Sequence, residues 1–378
     1  MREAKARRTW RPGTAGTAGL RVRSPRLPGL PTSRRGLLAG AAGLALAGLL
    51  PAPLRAQDDQ ATGVTEGDIR FFRIGTGSTA GTYYPVGGLL AAAISNPPGS
   101  HPCNEGGSCG VPGLLAVAQS TDGSVDNVER MFAGKLESGL CQADVAYWAT
   151  TGEGIFAKQG PRAGLSVVAS LYPELLHLVA RRGAGIRALA DLKGKRVSLD
   201  REGSGTRVDA LLLLAAAGIR TGSFEEAPMT ATQAAQAIRE ERLDAFFMMA
   251  GTPASVMTGL AVENLIDLVP LEGEPVAKLT ADYPFFMPDA LTAGTYQNLG
   301  ETRTLAVRAL WLVSAALDPA LVYQITAALW HPTTRLMLDA GHLKARAIRP
   351  ETALQGISQP PLHDGALRFY REAGLLPT

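Results

Sequence analysis

Between Phe71 and Asn96 the chain reads FFRIGTGSTAGTYYPVGGLLAAAISN, a short apolar strand, a run of small residues, and then an amphipathic stretch. In that stretch Val86, Leu89, Leu90, Ala93 and Ile94 recur at the spacing of one helical face. A helix is predicted from Pro85 to about Asn96, where Pro97 and Pro98 stop it. The same order returns in STDGSVDNVERMFAGKLESG, with Ser124 placed as an N-cap before Val125, Val128, Met131 and Phe132, and Gly134 at the end. It returns again after ADLKGKRVSLD, a short helix, a glycine turn and a strand, where REGSGTRVDALLLLAAAG leads Gly-Ser-Gly-Thr into an apolar helix ending at Gly218. TQAAQAIREERLDAFFMMAGTP adds a helix, a strand over Leu243 to Met249, and the turn Gly251-Thr252-Pro253. Such alternation predicts α/β layers around a largely parallel sheet. At 378 residues, one two-lobed domain or two domains are expected.

Each small-residue turn sits on a helix N-terminus, where the first N–H groups lack an internal acceptor and the helix dipole places partial positive charge. Glycine lets a ligand approach the backbone, and Ser and Thr hydroxyls add donors. One such turn alone reads as a solvated cap. Three together predict a cleft that gathers a small anionic molecule from several sides.

Charge is divided unevenly along the chain. Of the 37 Lys and Arg, 11 fall in residues 1–56, against a single acidic residue, Glu3. Ser33-Arg34-Arg35-Gly36-Leu37-Leu38, an apolar run to Leu50 and then PAPLRAQ read as an export signal, with cleavage expected after Ala56. The paired arginines point to the twin-arginine type, with an ordinary secretory signal as the alternative; both lead to the periplasm, and an uncleaved anchor stays open. The apolar core is shorter than the ~20 residues that a membrane-spanning helix needs. The remaining chain carries 26 basic against 33 acidic residues, about seven negative charges, so the overall +3 reports the leader. No basic patch with interleaved aromatics remains for nucleic acid.

Three cysteines in an exported chain permit one disulfide. Cys103 and Cys109 flank five residues in HPCNEGGSCGVPG, and a bridge between them is expected, with two free thiols as the alternative. Cys141 reads as a buried small hydrophobe. His101 beside Cys103 completes no four-ligand set, so no metal is expected.

GTGSTA, Gly75 to Ala80, also fits the first part of a dinucleotide-binding fingerprint. The acidic residue that should end a second strand about 20 positions on is lacking, since Glu105 lies in the cysteine loop. That enzyme reading is a distant alternative. No nucleophile-elbow or zinc-protease motif is present. His177, His331, His342 and His363 are scattered and expected to satisfy local hydrogen bonds, so neither a cofactor nor a catalytic residue is assigned.

IGTGSTAGTYYPVGG, TDGSVDNV, CQADVAYWA, LYPELLHLVAR, DLKGKRVSL, GSGTRVDA, LDAFFMMAGTP, LVPLEG, YPFF and PLHDGALRFYREAGL occur in the order seen in the TAXI family. In these motifs the chain resembles the solute receptors of tripartite ATP-independent periplasmic (TRAP) transporters, from about Phe71 to Leu375. The resemblance implies a type II periplasmic-binding-protein fold, two α/β lobes with a ligand cleft between them. Expected divisions are residues 1–56 for the export signal, 57–178 for the first part of lobe I, 179–268 for lobe II, and 269–378 for the return to lobe I and the C-terminal helices. One crossing is expected near Leu171 to Ala180, and the return near Ile266 to Pro270 or later, near Leu305.

The same resemblance implies a non-enzymatic receptor that closes on a small carboxylate, such as a glutamate-like acid, and delivers it to an integral-membrane TRAP permease. A periplasmic sensor signalling to a membrane histidine kinase is the alternative. Carried over onto this sequence, the contacts are Ser78, Thr79, Gly81, Thr82 and Tyr83 from the first turn, Ser124 from the second, and Ser204, Gly205 and Thr206 from the third. Tyr172 would cover the pocket from the crossing. Gln142 is a further candidate contact, Asp144 is expected to cap the helix VAYWAT, and Arg207 to lie on the surface. Asp122, beside the second turn, argues against an unscreened dianion there or points to a ligand with an amine nearby. A monomer is expected.

Overall fold

The structure is a computed structural model that describes residues 69–377. The expected export segment, residues 1–56, lies outside the described residues. Twelve strands appear in chain order: β1 (Arg70–Gly75), β2 (Ser95–Asn96), β3 (Val111–Pro112), β4 (Leu114–Gln119), β5 (Ser138–Gln142), β6 (Leu165–Arg181), β7 (Arg196–Ser198), β8 (Glu225–Glu226), β9 (Ala245–Ala250), β10 (Ile266–Val269), β11 (Met287–Leu291) and β12 (Thr302–Ser314). The helices are α1 (Tyr83–Ile94), α2 (Ser124–Phe132), α3 (Ala143–Thr151), α4 (Gly205–Ala216), α5 (Ala231–Arg239), α6 (Ser255–Val262), α7 (Glu274–Asp282), α8 (Pro319–Leu329), α9 (Pro332–Gly341) and α10 (Asp364–Glu372).

The main sheet runs β4-β1-β5-β12-β6-β9-β7-β8. Its two ends are parallel, β1 with β4 and β5, and β7 with β8 and β9. The middle is an antiparallel pair of long strands, β12 against β6, from Ser314 opposite Leu165 to Ala306 opposite Leu175. One half of β6 therefore lies with the first parallel end, while Leu175 to Ala180 pair with β9 of the other. These are two α/β lobes joined by crossover strands, the type II periplasmic-binding-protein arrangement. Strand β6 is apolar almost throughout because it is buried on both faces.

Three clusters make the core: the largest runs through both lobes, from Val128 and Trp148 to Val197 and Phe247, and the other two each lie mainly in one lobe. Phe72, Ile74, Val86 and Leu90 pack with Leu321, Ile325 and Tyr370 of the C-terminal helices, so the chain's end completes the first lobe. Val179, Ile238, Phe246 and Met257 fill the second. Helix α1 starts at Tyr83, two residues before the expected Pro85, and buries Val86, Leu90, Ala93 and Ile94. Helix α4 begins where Ser204 caps it, accepting from the Thr206 N–H. Such a cap is worth about 1 kcal/mol. The second turn differs from expectation, because Gly123, at φ 124°, is the residue before α2 and Ser124 is the first helical residue. The Ser124 hydroxyl accepts instead from the Gln142 N–H at 3.1 Å.

Cys103 and Cys109 are bridged, and Cys141 is buried and free. Cys103, Cys109 and His331 come within 4.8 Å of one another, but both sulfurs belong to the disulfide. Among the described residues no helix is long and apolar enough to cross a membrane.

Candidate functional site

A cavity of about 530 Å³ opens between the lobes. It is lined by the first turn (Gly77 to Thr79, Gly81 to Tyr83), the second (Ser120 to Ser124) and the third (Ser204 to Thr206), with Met248 and Met249 at the end of β9. Ten of the eleven residues expected at a ligand line it: Ser78, Thr79, Gly81, Thr82, Tyr83, Ser124, Gln142, Ser204, Gly205 and Thr206. Tyr172 does not. It is fully buried behind the cavity, with a hydroxyl that meets no hydrogen-bond partner.

Most side-chain hydroxyls of these residues are committed within the protein. Thr82 donates to the Gly251 carbonyl at 2.6 Å, Tyr83 to the Glu174 carboxyl at 2.5 Å, and Ser204 to Asp200 at 2.8 Å. Thr206 accepts from the Met249 N–H at 3.0 Å. Among the described residues, by contrast, the main-chain N–H groups of Ser78, Thr79, Ser124 and Gly205 have no protein acceptor. The free donors of the cleft are thus backbone amides of the loop before α1 and of the N-termini of α2, α4 and α5, where Ala231 and Thr232 also line the cavity without an acceptor, together with the Ser78 and Thr79 hydroxyls. At Ser124 and Gly205, burial and the helix dipole suit these amides to an anion, while Ser78 is half-buried and Thr79 exposed at the mouth.

The lobes already touch. The Asp126 N–H donates to the Gly203 carbonyl at 3.1 Å, and Arg201 meets Asp122 at 2.9 Å across the cleft mouth. The Ser255 hydroxyl reaches the Ala80 carbonyl. At Gly205 the approach is close enough to exclude any side chain, since a Cβ would stand 1.7 Å from Gln142 Oε1. The Gln142 amide nitrogen donates to Asp209, and its carbonyl accepts from Ser124 at 3.4 Å.

Charged side chains around the cavity were not among the residues expected from sequence, apart from the caution over Asp122. Glu174, Asp200 and Asp122 line it with Arg130 and Arg201. Each arginine is engaged, Arg130 with Asp126 and Arg201 with Asp122, so Asp122 is screened from the other lobe. Burial pushes the Glu174 carboxyl up to about 8, against the Tyr83 hydrogen bond that lowers it. Burial likewise raises Asp200 to about 6, partly offset by its bond from Ser204. The signal for Glu174 was an ionisable residue inside the continuous apolar run of β6. Asp200 and Arg201 flanked the third turn in sequence.

One expectation beside the cavity fails. Asp144 does not cap α3: it lies in the first turn after the cap residue Gln142, and both its carboxyl oxygens are buried without a donor. Of the adjacent tyrosines, Tyr83 is buried and Tyr84 is exposed. Arg207 points away from the cavity to Glu226, as expected of a surface residue. The histidines make local bonds. His177 bonds to the Leu175 and Met248 carbonyls and the Tyr296 hydroxyl, while His331 and His363 cap α9 and α10.

Solved structures similar to this chain include the alkanesulfonate-binding protein SsuA from Xanthomonas axonopodis pv. citri bound to MOPS. The two are 16% identical, over 82% of this chain and 81% of that one, at a TM-score of 0.44. MatC from Rhodopseudomonas palustris with bound malate is 14% identical over 72% and 88%, at 0.45. SsuA from Escherichia coli, a periplasmic aliphatic sulphonate binding protein, is 15% identical over 71% and 77%, at 0.38. The model of the NMT1-like family matches residues 74–374, most of the chain, and the protein belongs to that family.

Proposed function

We propose that this protein is an extracytoplasmic receptor of the TAXI type, which captures a small carboxylate and presents it to a TRAP membrane permease. The observation that carries the reading is the set of acceptor-free amides, Ser78, Thr79 and Ser124 facing Gly205 across one cavity. A carboxylate held by both sides binds the closed form more tightly than the open one, and shifts the equilibrium by that difference. No bond need be made or broken. The permease then reads closure.

In this reading Ser78, Thr79, Gly81, Ser124, Gln142, Ser204, Gly205 and Thr206 surround the ligand, and Thr82 and Tyr83 hold the frame. Tyr172, behind the cavity, supports the crossing and does not cover the ligand. Lobe I begins at residue 57 and runs into β6 near 178. We assign the return to β12, not to residue 269, because β11 pairs with the Thr302–Ala306 half of β12. Strand β10 also still pairs with the lobe II half of β6.

A thermal-shift screen against amino acids, organic acids and neutral sugars tests the proposal. A ligand at 100 times its dissociation constant adds about 2.7 kcal/mol of stability. Shifts confined to carboxylates are expected. A flat response to every carboxylate, or a shift with sugars alone, would sink the substrate class.

A further inference from the structure

Behind Gln142 lies a pair of carboxyls that the binding reading does not use. Asp144, in the first turn of α3, and Asp209, on the second turn of α4, come from facing lobes, and neither is exposed to solvent at all. Of their four oxygens only Asp209 Oδ2 receives a donor from elsewhere, the Gln142 amide. Both oxygens of Asp144 and Oδ1 of Asp209 receive no side-chain donor, and because the Gln142 amide that Asp209 accepts from belongs to the cap residue of α3, the two carboxyls meet at the start of that helix. Two ionised carboxylates cannot hold that arrangement in a dry interface. A proton between them can.

We propose that Asp144 and Asp209 form a proton-binding clasp between the lobes, in which one shared proton holds α3 against α4 and is released to water when the cleft opens. The inference rests on the reading of the cleft as one that opens and closes. No cation supplies an alternative, because among the described residues no lysine or arginine pairs with either carboxyl. The surrounding groups point the same way. Glu174 on β6 and the Cys141 thiol on β5 face the pair, are themselves buried, and bring no positive charge. Lys344 acts on Glu174 and not on the pair. Around them, α2 engages its charges in Asp126–Arg130 and Glu129–Arg162, α4 in Arg207–Glu226, and α7 in the exposed Lys278–Asp282 pair. Arg308 of β12 donates to Ser170.

Burial raises Asp144 to about 6 and Asp209 well above the ordinary carboxylate range. The sign follows. The closed form retains a proton that the open, hydrated form gives up, so raising the pH above the ordinary carboxyl range favours opening. With one proton taken up on closing, the closed-to-open ratio falls up to tenfold per pH unit.

The test uses the full chain without ligand, so that it is independent of the carboxylate screen. In infrared difference spectra at pH 7, wild type minus Asp209→Asn should show a protonated-carboxyl carbonyl band, and Asp144→Asn should remove the same band. Small-angle X-ray scattering between pH 5 and pH 9 should show wild type expanding while Asp209→Asn stays compact, because asparagine donates to Asp144 at every pH. Absence of the difference band, or equal expansion of wild type and both variants, overturns the clasp. A positive result beside a flat screen would leave the clasp standing and remove only the carboxylate reading.

Discussion

Gly205→Ala separates the stability of α4 from the closure of the cleft. Gly205 is the first residue of α4, and its backbone conformation suits any L-residue, so alanine should favour the helix. A glycine-to-alanine change of that kind stabilises by about 0.4–1 kcal/mol through the unfolded chain. In the closed form, however, the new methyl would stand 1.7 Å from Gln142 Oε1, 2.6 Å from Gln142 Cδ and 3.0 Å from Ser124 Oγ. Gln142 cannot swing aside without giving up its bond to the buried Asp209 carboxyl. Leaving such a group unsatisfied costs about 1–3 kcal/mol. The dissociation constant for the carboxylate selected by the screen should therefore rise about 5- to 150-fold. Isothermal titration beside a ligand-free melt reads both effects. At pH 9, where the ligand-free cleft stands open, the ligand-free melting temperature should hold or rise while affinity drops, and unchanged affinity would refute the role given to this contact.

Other expectations follow from the same geometry. Ser204→Ala should lower the ligand-free stability by about 1 kcal/mol through loss of the α4 cap, besides weakening the ligand, which chemical denaturation checks. The Glu174 carboxyl is raised from its ordinary value of 4.5 to about 8, so its ionisation destabilises the folded protein. Wild type should lose stability as the pH rises from 4.5 towards 8, and Glu174→Gln should flatten that part of the melting profile. Asp122→Asn breaks a half-exposed ion pair at the cleft mouth, worth about 0–1 kcal/mol. Ligand release should quicken modestly at low ionic strength, and stopped-flow measurements in high salt should show wild type and variant alike.

The three strand, turn and helix units were legible because glycine and hydroxyl residues must punctuate a chain that passes from a buried strand into a helix. That pattern placed Ser78, Ser124 and Ser204 around one cavity without any knowledge of the lobes. What it missed is set by closure. Asp122 meets Arg201 and Gln142 meets Asp209 only because two lobes far apart in sequence come together, and no local periodicity encodes that approach. Asp144 shows the difference well. Its position at a helix start predicts a cap, yet the cap residue is Gln142, and the carboxyl instead turns into the opposite lobe. Glu174 was hidden by its surroundings, an apolar strand in which a single acid reads as an interruption. The hydroxyls were overrated as ligand donors for a related reason. In a small cavity those of Thr82, Tyr83 and Ser204 satisfy neighbouring carbonyls and carboxyls, leaving the main chain and the Ser78 and Thr79 hydroxyls to face the guest.

The most direct test of the account is a structure of the protein with the carboxylate that stabilises it in the screen. The account predicts carboxylate oxygens within hydrogen-bonding distance of the Ser78 or Thr79 N–H on one side and of the Gly205 N–H on the other. A bound carboxylate that leaves those amides facing water, or a neutral sugar in the same cavity, would contradict it.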